Sequence, residues 1–454
     1  MRWRAAPRWS WLPILVLPVL LGGCATYSDR IERMESALLA GQWERALDEV
    51  EKTGGSRADE VLFRLNRGML HRLNGDFEAS NRDLEAAKER LEALDAFSIT
   101  ETLGALTVTE GTRAYIGTPH EQVMLHLIKA FNYLDLGELD SARVEALQVD
   151  LRLEAIAAAA GGSKYDADPF ARYLTGLLYE ALGEADNALI AYRSAWRAYR
   201  RQQAAFGVSA PRQLRADLLR LTDHLGLADE HRELAERYPD TDWVEQAAFR
   251  RRAHVILIVN EGLAPILREE AIMVQGADGR LHRIALPTYR SRPWRLGTVE
   301  LLANGQRASA EVAQEVEPVA RAVLEERKPG MLARSLTRAV VSNAAVSEVR
   351  DADPLAGLLV NIFTVATERA DTRSWVTLPG RFRVVRLSLP PGDHDLSARY
   401  VGGGAGSEVH WPAVTLRSGQ HHFIIDHWIG PNSVWHAGRE QANETGDSHA
   451  SDDG

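Results

Sequence analysis

The sequence predicts an α+β chain: an all-helical repeat array first, then a mixed, β-sandwich-like domain carrying a helical insert. Three observations lead there. Residues 30–240 are rich in Ala, Leu, Glu and Arg, with apolar residues at helical spacing. Within them, a pattern of small residues and turn glycines recurs. Near residue 250 the composition changes, and "AHVILIVNEG" opens a series of short runs that read as strands.

A separate N-terminal segment precedes both. Residues 1–8 carry Arg2, Arg4 and Arg8 and no acid, and Trp9 to Leu21 are almost wholly apolar. The apolar run is about 13 residues, whereas a spanning helix needs about 20. A basic start before a short apolar stretch reads as a secretory signal, residues 1–23. Cys24, the one cysteine among 454 residues, follows it directly. The stretch Leu21-Gly22-Gly23-Cys24 resembles a bacterial lipobox. That resemblance implies diacylation of the Cys24 thiol, cleavage before it and acylation (palmitate-type) of the new amino group. One acyl chain holds a protein to a membrane only marginally, so three give a stable anchor. Ala25 and Thr26 follow with no Asp, which by the lipoprotein sorting rule implies the outer membrane's periplasmic leaflet. A single cysteine also leaves no intramolecular disulfide to form.

The helical repeats are assigned to residues 24–245. The clearest unit is "YLTGLLYEALGEADNALIAYRSAWRAY", with Gly176, Gly183, Ala188, Tyr192 and Ala195 in register. This resembles the tetratricopeptide (TPR) pattern. Small residues at 176 and 188 let two antiparallel helices approach, Gly183 suits the turn between them, and Tyr192 fills the gap to the next repeat. Gly68, Gly75, Phe77, Ser80, Leu84 and Ala87 occupy the same positions in a second unit. A third offers Ala130, Gly137, Leu139, Ala142 and Ala146, and a fourth Gly41, Trp43 and Ala46. A weaker one surrounds Gly226. Gly41 and Gly75 are 34 residues apart, the TPR period, but the next gaps are 62 and 46. The array is therefore irregular, with a Thr- and Gly-rich loop expected at about 95–120. Such arrays present a concave groove, so a protein or peptide partner is the expectation.

The β-rich domain is assigned to 250–430. After "AHVILIVNEG", the runs "LHRIALPTY", "GTVELLAN" and "RASAEVAQEV" read as shorter strands. "FRVVRLSLPPGDHDLSARYV" reads as strand, turn, strand, and "SEVHWPAVTLRSGQHHFIIDHW" as two more. The "LPPGDHDLSARY" stretch resembles small bacterial β-sandwich domains of the PEGA type. A helical insert falls at about 314–370; its apolar stretch "PLAGLLVNIFTVATE" is too short to span a bilayer and reads as a helix buried under the sheet. Residues 431–454, polar and acidic, read as a disordered tail.

The formal charge of −10 becomes about −13 without the three signal arginines. Nucleic acid and anionic headgroups are therefore disfavoured partners. "HEQVMLH" misses a zinc-protease motif, because His126 stands six residues after His120 and turns to nearly the opposite helix face. His421, His422, Asp426, His427, Asp393, His394 and Asp395 cluster in sequence, and exposed strand ends and a turn explain them better than a metal does. Glycine-rich "VGGGAGS" lacks the lysine of nucleotide loops and reads as a hairpin. No catalytic set, cofactor or metal is expected, and the chain is read as a non-enzyme.

Two longer stretches, "GTPHEQVMLHLIKAFNYLDLGELDSARVEA" and "ERADTRSWVTLPGRFRVVRLSLPPGDH", together with the lipobox, resemble an uncharacterised family of TPR-containing bacterial lipoproteins. The resemblance implies architecture and no catalytic residues; members of the family accompany lipoprotein activators of peptidoglycan synthases. Arg373 and Trp375 in "ADTRSWVTLP" suit a partner contact, but are read rather as structural, with Trp375 in the core and Asp371 pairing Arg373 to hold the insert against the sheet. The expectation is an outer-membrane lipoprotein acting as a periplasmic scaffold for envelope or peptidoglycan-assembly proteins through a TPR-like groove. The rival readings are an envelope lipid- or glycan-binding protein and a metal-dependent enzyme built on the His/Asp cluster.

Overall fold

The computed structural model describes residues 32–98, 114–160, 165, 167–275, 281–292, 296–352, 369–402, 405–430 and 433–436. Ten helices form five antiparallel hairpins: α1 Glu32–Leu39 with α2 Trp43–Thr53, α3 Glu60–Leu73 with α4 Phe77–Ser98, α5 Pro119–Asp135 with α6 Leu139–Ala160, α7 Pro169–Ala181 with α8 Ala185–Phe206, and α9 Arg212–His224 with α10 Ala228–Arg237. Each hairpin turns on a glycine in the left-handed region, at 41, 75, 137, 183 and 226. At the fourth, Gly183 N–H donates to Glu180 O and Glu184 N–H to Tyr179 O, at 3.0 and 2.8 Å. This double closure satisfies carbonyls that the end of α7 would otherwise leave bare. Thr118 and Glu121 form a reciprocal cap at the start of α5, ahead of Pro119.

A short helix, α11 Gln246–Arg250, leads into the strands. These are β1 Ala253–Glu261, β2 Ile266–Gln275, β3 Leu281–Arg290, β4 Thr298–Ala303, β5 Gln306–Ser309 and β6 Glu311–Glu315. After α12 Val316–Ala352 come β7 Arg381–Leu389, β8 Gly392–Gly402, β9 Ala405–Leu416, β10 His421–Gly430 and β11 Ser433–His436. They make a five-stranded sheet in the order β11-β10-β1-β7-β6, a four-stranded sheet β5-β4-β8-β9 and the hairpin β2-β3. In the large sheet, β1 runs parallel to β10 and antiparallel to β7.

β1 is buried at every position. Its unbroken apolar run reflects cover on both faces. Ile256 and Ile258, with Phe382, Val384 and Ile425, join a single core that continues through the helical hairpins. Val255, Leu257 and Val259, with Val385, Leu387 and Trp428, join a second core shared with Val299, Leu301, Leu396 and Tyr400 of the four-stranded sheet. The layers are therefore helices, large sheet, small sheet. The expected sandwich-like domain is thus not free-standing: the helical half covers one face of its main sheet. The β2-β3 hairpin sits apart, holding α12 through Leu267, Tyr289, Ala320, Leu324 and Met331.

Two local differences from the sequence reading have simple causes. β2 was not expected, because "ILREEAIMVQ" places two acids mid-strand; Glu269 there pairs across the hairpin with Arg283. Ser433–His436, inside the segment read as tail, pairs with β10 as an edge strand. The apolar stretch 354–368 lies outside the described residues.

Candidate interaction site

The first helix of each of the last three hairpins faces the large sheet. α5 is buried nearly throughout, α7 is buried from Pro169 to Leu178 save for Arg172, and α9 from Asp217 to Thr222. Phe131 of α5 and Phe170 of α7 meet Phe382 of β7, with ring centroids 6.0 and 5.5 Å apart. The expected groove for a partner is therefore already filled by the chain's own sheet, because its apolar helix faces and the apolar face of β1, β7 and β10 bury each other.

Three buried polar nodes fix this docking. In the first, the Glu121 carboxylate accepts from Tyr115 Oη at 2.5 Å, Thr118 N at 2.7 Å and Trp375 N at 2.6 Å. Nearby, Arg373 pairs with Asp371 at 2.7 Å and Asp59 at 3.1 Å, and Trp375 Nε1 donates to Thr377 Oγ1. Thr377 in turn donates to Asn66 Oδ1. Trp375 is 1% exposed and Arg373 6%. Of the two readings of Arg373 and Trp375, the partner contact is corrected and the core position with Asp371 pairing Arg373 describes the structure: both residues join the two halves of the chain.

In the second node, Arg72 of α3 donates to His427 Nε2 of β10 at 3.0 Å and to Asn132 Oδ1 at 2.7 Å, and pairs with Asp135 at 2.7 Å. Burial pushes the Asp135 carboxyl up to about 6 although Arg72 pulls it down. Burial, aided by Arg72, keeps His427 neutral.

The third node holds four charges. Arg220 pairs with Glu180 at 2.5 Å and Asp217 at 2.7 Å; Arg386 of β7 pairs with Asp217 at 2.5 Å and Glu180 at 3.5 Å. Tyr192 Oη donates to Glu180 Oε2 at 3.1 Å. Burial alone would raise the Glu180 carboxyl, but Arg220, His421 and Arg386 hold it well below the usual carboxylate range. Phe249 lies between Arg220, 3.7 Å over its ring, and His254, stacked at 3.6 Å.

The remaining sequence-predicted residues fall as follows. Cys24 lies outside the described residues. Gly176 faces the Tyr192 ring and Gly68 faces Leu84. Gly75, Gly137 and Gly183 make hairpin turns, and Ala142 and Ala188 are fully buried. Asp426 and His427 are not exposed strand ends, because β10 is flanked there by β1 and β11; His421 does open β10, but its side chain turns inward toward Glu180; Asp426 accepts from Tyr400, while His394 bonds Asn304 and Pro390 O. Among the described residues no cluster of three or more metal-ligating side chains forms, and no helix is long and apolar enough to cross a membrane. His126 bonds Glu145, and His120 bonds Thr118.

With the inner face closed, the outer face carries the open surface. On α6, Val144, Leu147 and Leu151 are 50%, 37% and 57% exposed, and Ala155 and Ala158 continue the same line. Ile116, 41% exposed, is linked to α6 by Gln122, which donates to Ile116 O and accepts from Arg152. The sequence reading missed this stripe. Its signal was present: the apolar residues of α6 are spread around the helix, among charged ones, rather than gathered on one face, which a helix covered on one side only does not require.

No protein-family model matches this chain, and no curated protein does. Among solved structures, the crystal structure of MamA covers 46% of this chain and 93% of its own at 14% identity and a TM-score of 0.29. A Rap protein complexed with competence and sporulation factor covers 49% and 55% at 15% identity and 0.29. The TPR-like repeats of a Podospora anserina kinesin light chain cover 46% and 91% at 18% identity and 0.30. Likeness at this level says nothing of this chain's partners.

Proposed function

We propose that this chain is a membrane-tethered, non-catalytic scaffold of the bacterial envelope that holds a protein partner on the outer face of its helical array. The observation that carries this is the exposed apolar stripe on α6. From Val144 to Ala158 it extends about 21 Å at 1.5 Å per residue. It is one helix wide, which fits an amphipathic partner helix laid along it. A groove partner is the weaker choice, since the inner helix faces are already covered. The lipobox at Cys24 supports tethering to the outer membrane, where confinement raises the partner's effective concentration.

In-cell crosslinking and pull-down test this with the wild type, Cys24→Ala and Leu147→Glu/Leu151→Glu. The expected result is a small set of envelope proteins with the wild type, reduced recovery with Cys24→Ala, and loss with the stripe variant at unchanged thermal stability. Equal recovery from the stripe variant would exclude α6 as the docking face.

A further inference from the structure

The third polar node opens on one side into a cavity of about 430 Å³, which falls in the size range of small-ligand sites. Its walls come from three places in the chain: the α7-α8 turn through Glu180, Ala181, Gly183 and Ala185, α11 through Gln246, Phe249 and Arg250, and the β9-β10 turn through Ser418, Gly419 and His421. Two of the three are glycine turns, so backbone rather than side chain forms much of the rim.

Two groups at this cavity have unused hydrogen-bonding capacity. His421 has a side chain 3% exposed, yet neither Nδ1 nor Nε2 has a hydrogen-bond partner; Nε2 stands 3.6 Å from Glu180 Oε2. Arg250, exposed at the mouth, makes no ion pair among the described residues. A buried ring nitrogen without a partner is costly, and it is rare unless something fills the site. With Nε2 turned toward Glu180 Oε2, Nδ1 is the His421 position left without a partner, and it donates when the ring is protonated; Arg250 donates in every state. The two carboxylates of the node are each matched by Arg220 and Arg386, which leaves the Arg250 charge over. Converging donors with one surplus positive charge call for an acceptor that is an anion. Arg250 offers a planar fork suited to a carboxylate, and Ala181, Ala185 and the edge of Phe249 offer an apolar wall for a short carbon body.

We propose that this cavity binds a small organic carboxylate, held by Arg250 at the mouth and His421 within. Glu180 shares the cavity wall with His421, while Arg220, Asp217 and Arg386 stand behind that wall and fix Glu180 and Phe249.

Succinate is the probe, titrated into the full chain and followed by saturation-transfer NMR, with inorganic phosphate in a parallel arm. Arg250→Ala is a surface change that leaves the fold intact; His421→Leu keeps the bulk and removes both nitrogens. The expected result is saturable succinate binding, weakened about ten- to hundredfold in Arg250→Ala, as loss of a hydrogen bond to a charged group implies, and abolished in His421→Leu. No saturable succinate signal, a signal indifferent to Arg250→Ala, or phosphate bound as well as succinate would overturn the assignment.

Discussion

Replacing Gly176 by alanine sets two effects of opposite sign against each other. Gly176 lies inside α7 with helical backbone angles, so by propensity alone alanine would stabilise the helix by about 1 kcal/mol. The packing dictates otherwise. An ideal Cβ at 176 falls 2.3 Å from both Cδ1 and Cε1 of Tyr192. That ring cannot withdraw freely: it is fully buried, its centroid is 5.6 Å from that of Tyr173, and its hydroxyl donates to Glu180. Overpacking costs about 1–3 kcal/mol. Losing a hydrogen bond to a charged acceptor adds about 1.5–3 kcal/mol. Set against the propensity gain, the net is a destabilisation of about 1.5–5 kcal/mol. Urea unfolding followed by circular dichroism measures it as a lower midpoint at unchanged slope. Combining Gly176→Ala with Tyr192→Leu should cost less than the two singles together, with a coupling of about 1–2 kcal/mol. A Gly176→Ala variant as stable as the wild type, or a strictly additive double variant, would refute the close-packing argument.

Arg386→Met leaves Asp217 and Glu180 sharing Arg220 alone in the interior, so urea unfolding should show a loss of about 3–5 kcal/mol. Glu121→Gln keeps shape but turns an amide N–H2 toward one of the donors now bonded to the carboxylate; thermal or urea melts should register about 2–3 kcal/mol. Stability should also fall with acid. Burial pushes His254 down to about 2, with Arg386 and His421 adding, and His120 down to about 4. The unfolded chain takes up these protons near pH 6.5 while the fold refuses them. The stability they confer is therefore complete above that pH and lost as pH falls, by at most about 1.4 kcal/mol per pH unit for each histidine. Asp135, raised to about 6, acts with the opposite sign between about 6 and 4 and only partly offsets them. His120→Gln should flatten the slope between pH 6.5 and 4 in a pH series of urea midpoints; an unchanged slope would show that His120 does not resist protonation.

Much of the architecture is legible locally. The turn glycines, the small residues at 176 and 188 and the apolar run of β1 each follow from short-range rules of helix ends, helix packing and strand burial. What covers the inner helix faces is not local. Glu121 and Trp375 are 254 residues apart, and Arg72 and His427 are 355 apart, so no periodicity connects them. One hint was available: β1 is apolar at both odd and even positions, which requires a cover on each face, and the small sheet supplies only one. Arg373 and Trp375 look alike as a surface hot spot or as a buried clamp until Asp59 and Asn66 are seen beside them. The α6 stripe failed to register for the converse reason: apolar residues on every side of a helix read as deep burial, whereas here one side faces solvent.

The central claim is that the helical array and the large sheet form one cooperative unit, with the array's inner face closed by the chain itself. Native-state hydrogen exchange across a urea series tests it most directly. The account predicts that amides of α5 and α7 and those of β1 and β10 open with the same free energy and the same denaturant dependence. Opening of the α5 and α7 amides at clearly lower free energy, while β1 stays protected, would contradict it and would return the inner face to a partner.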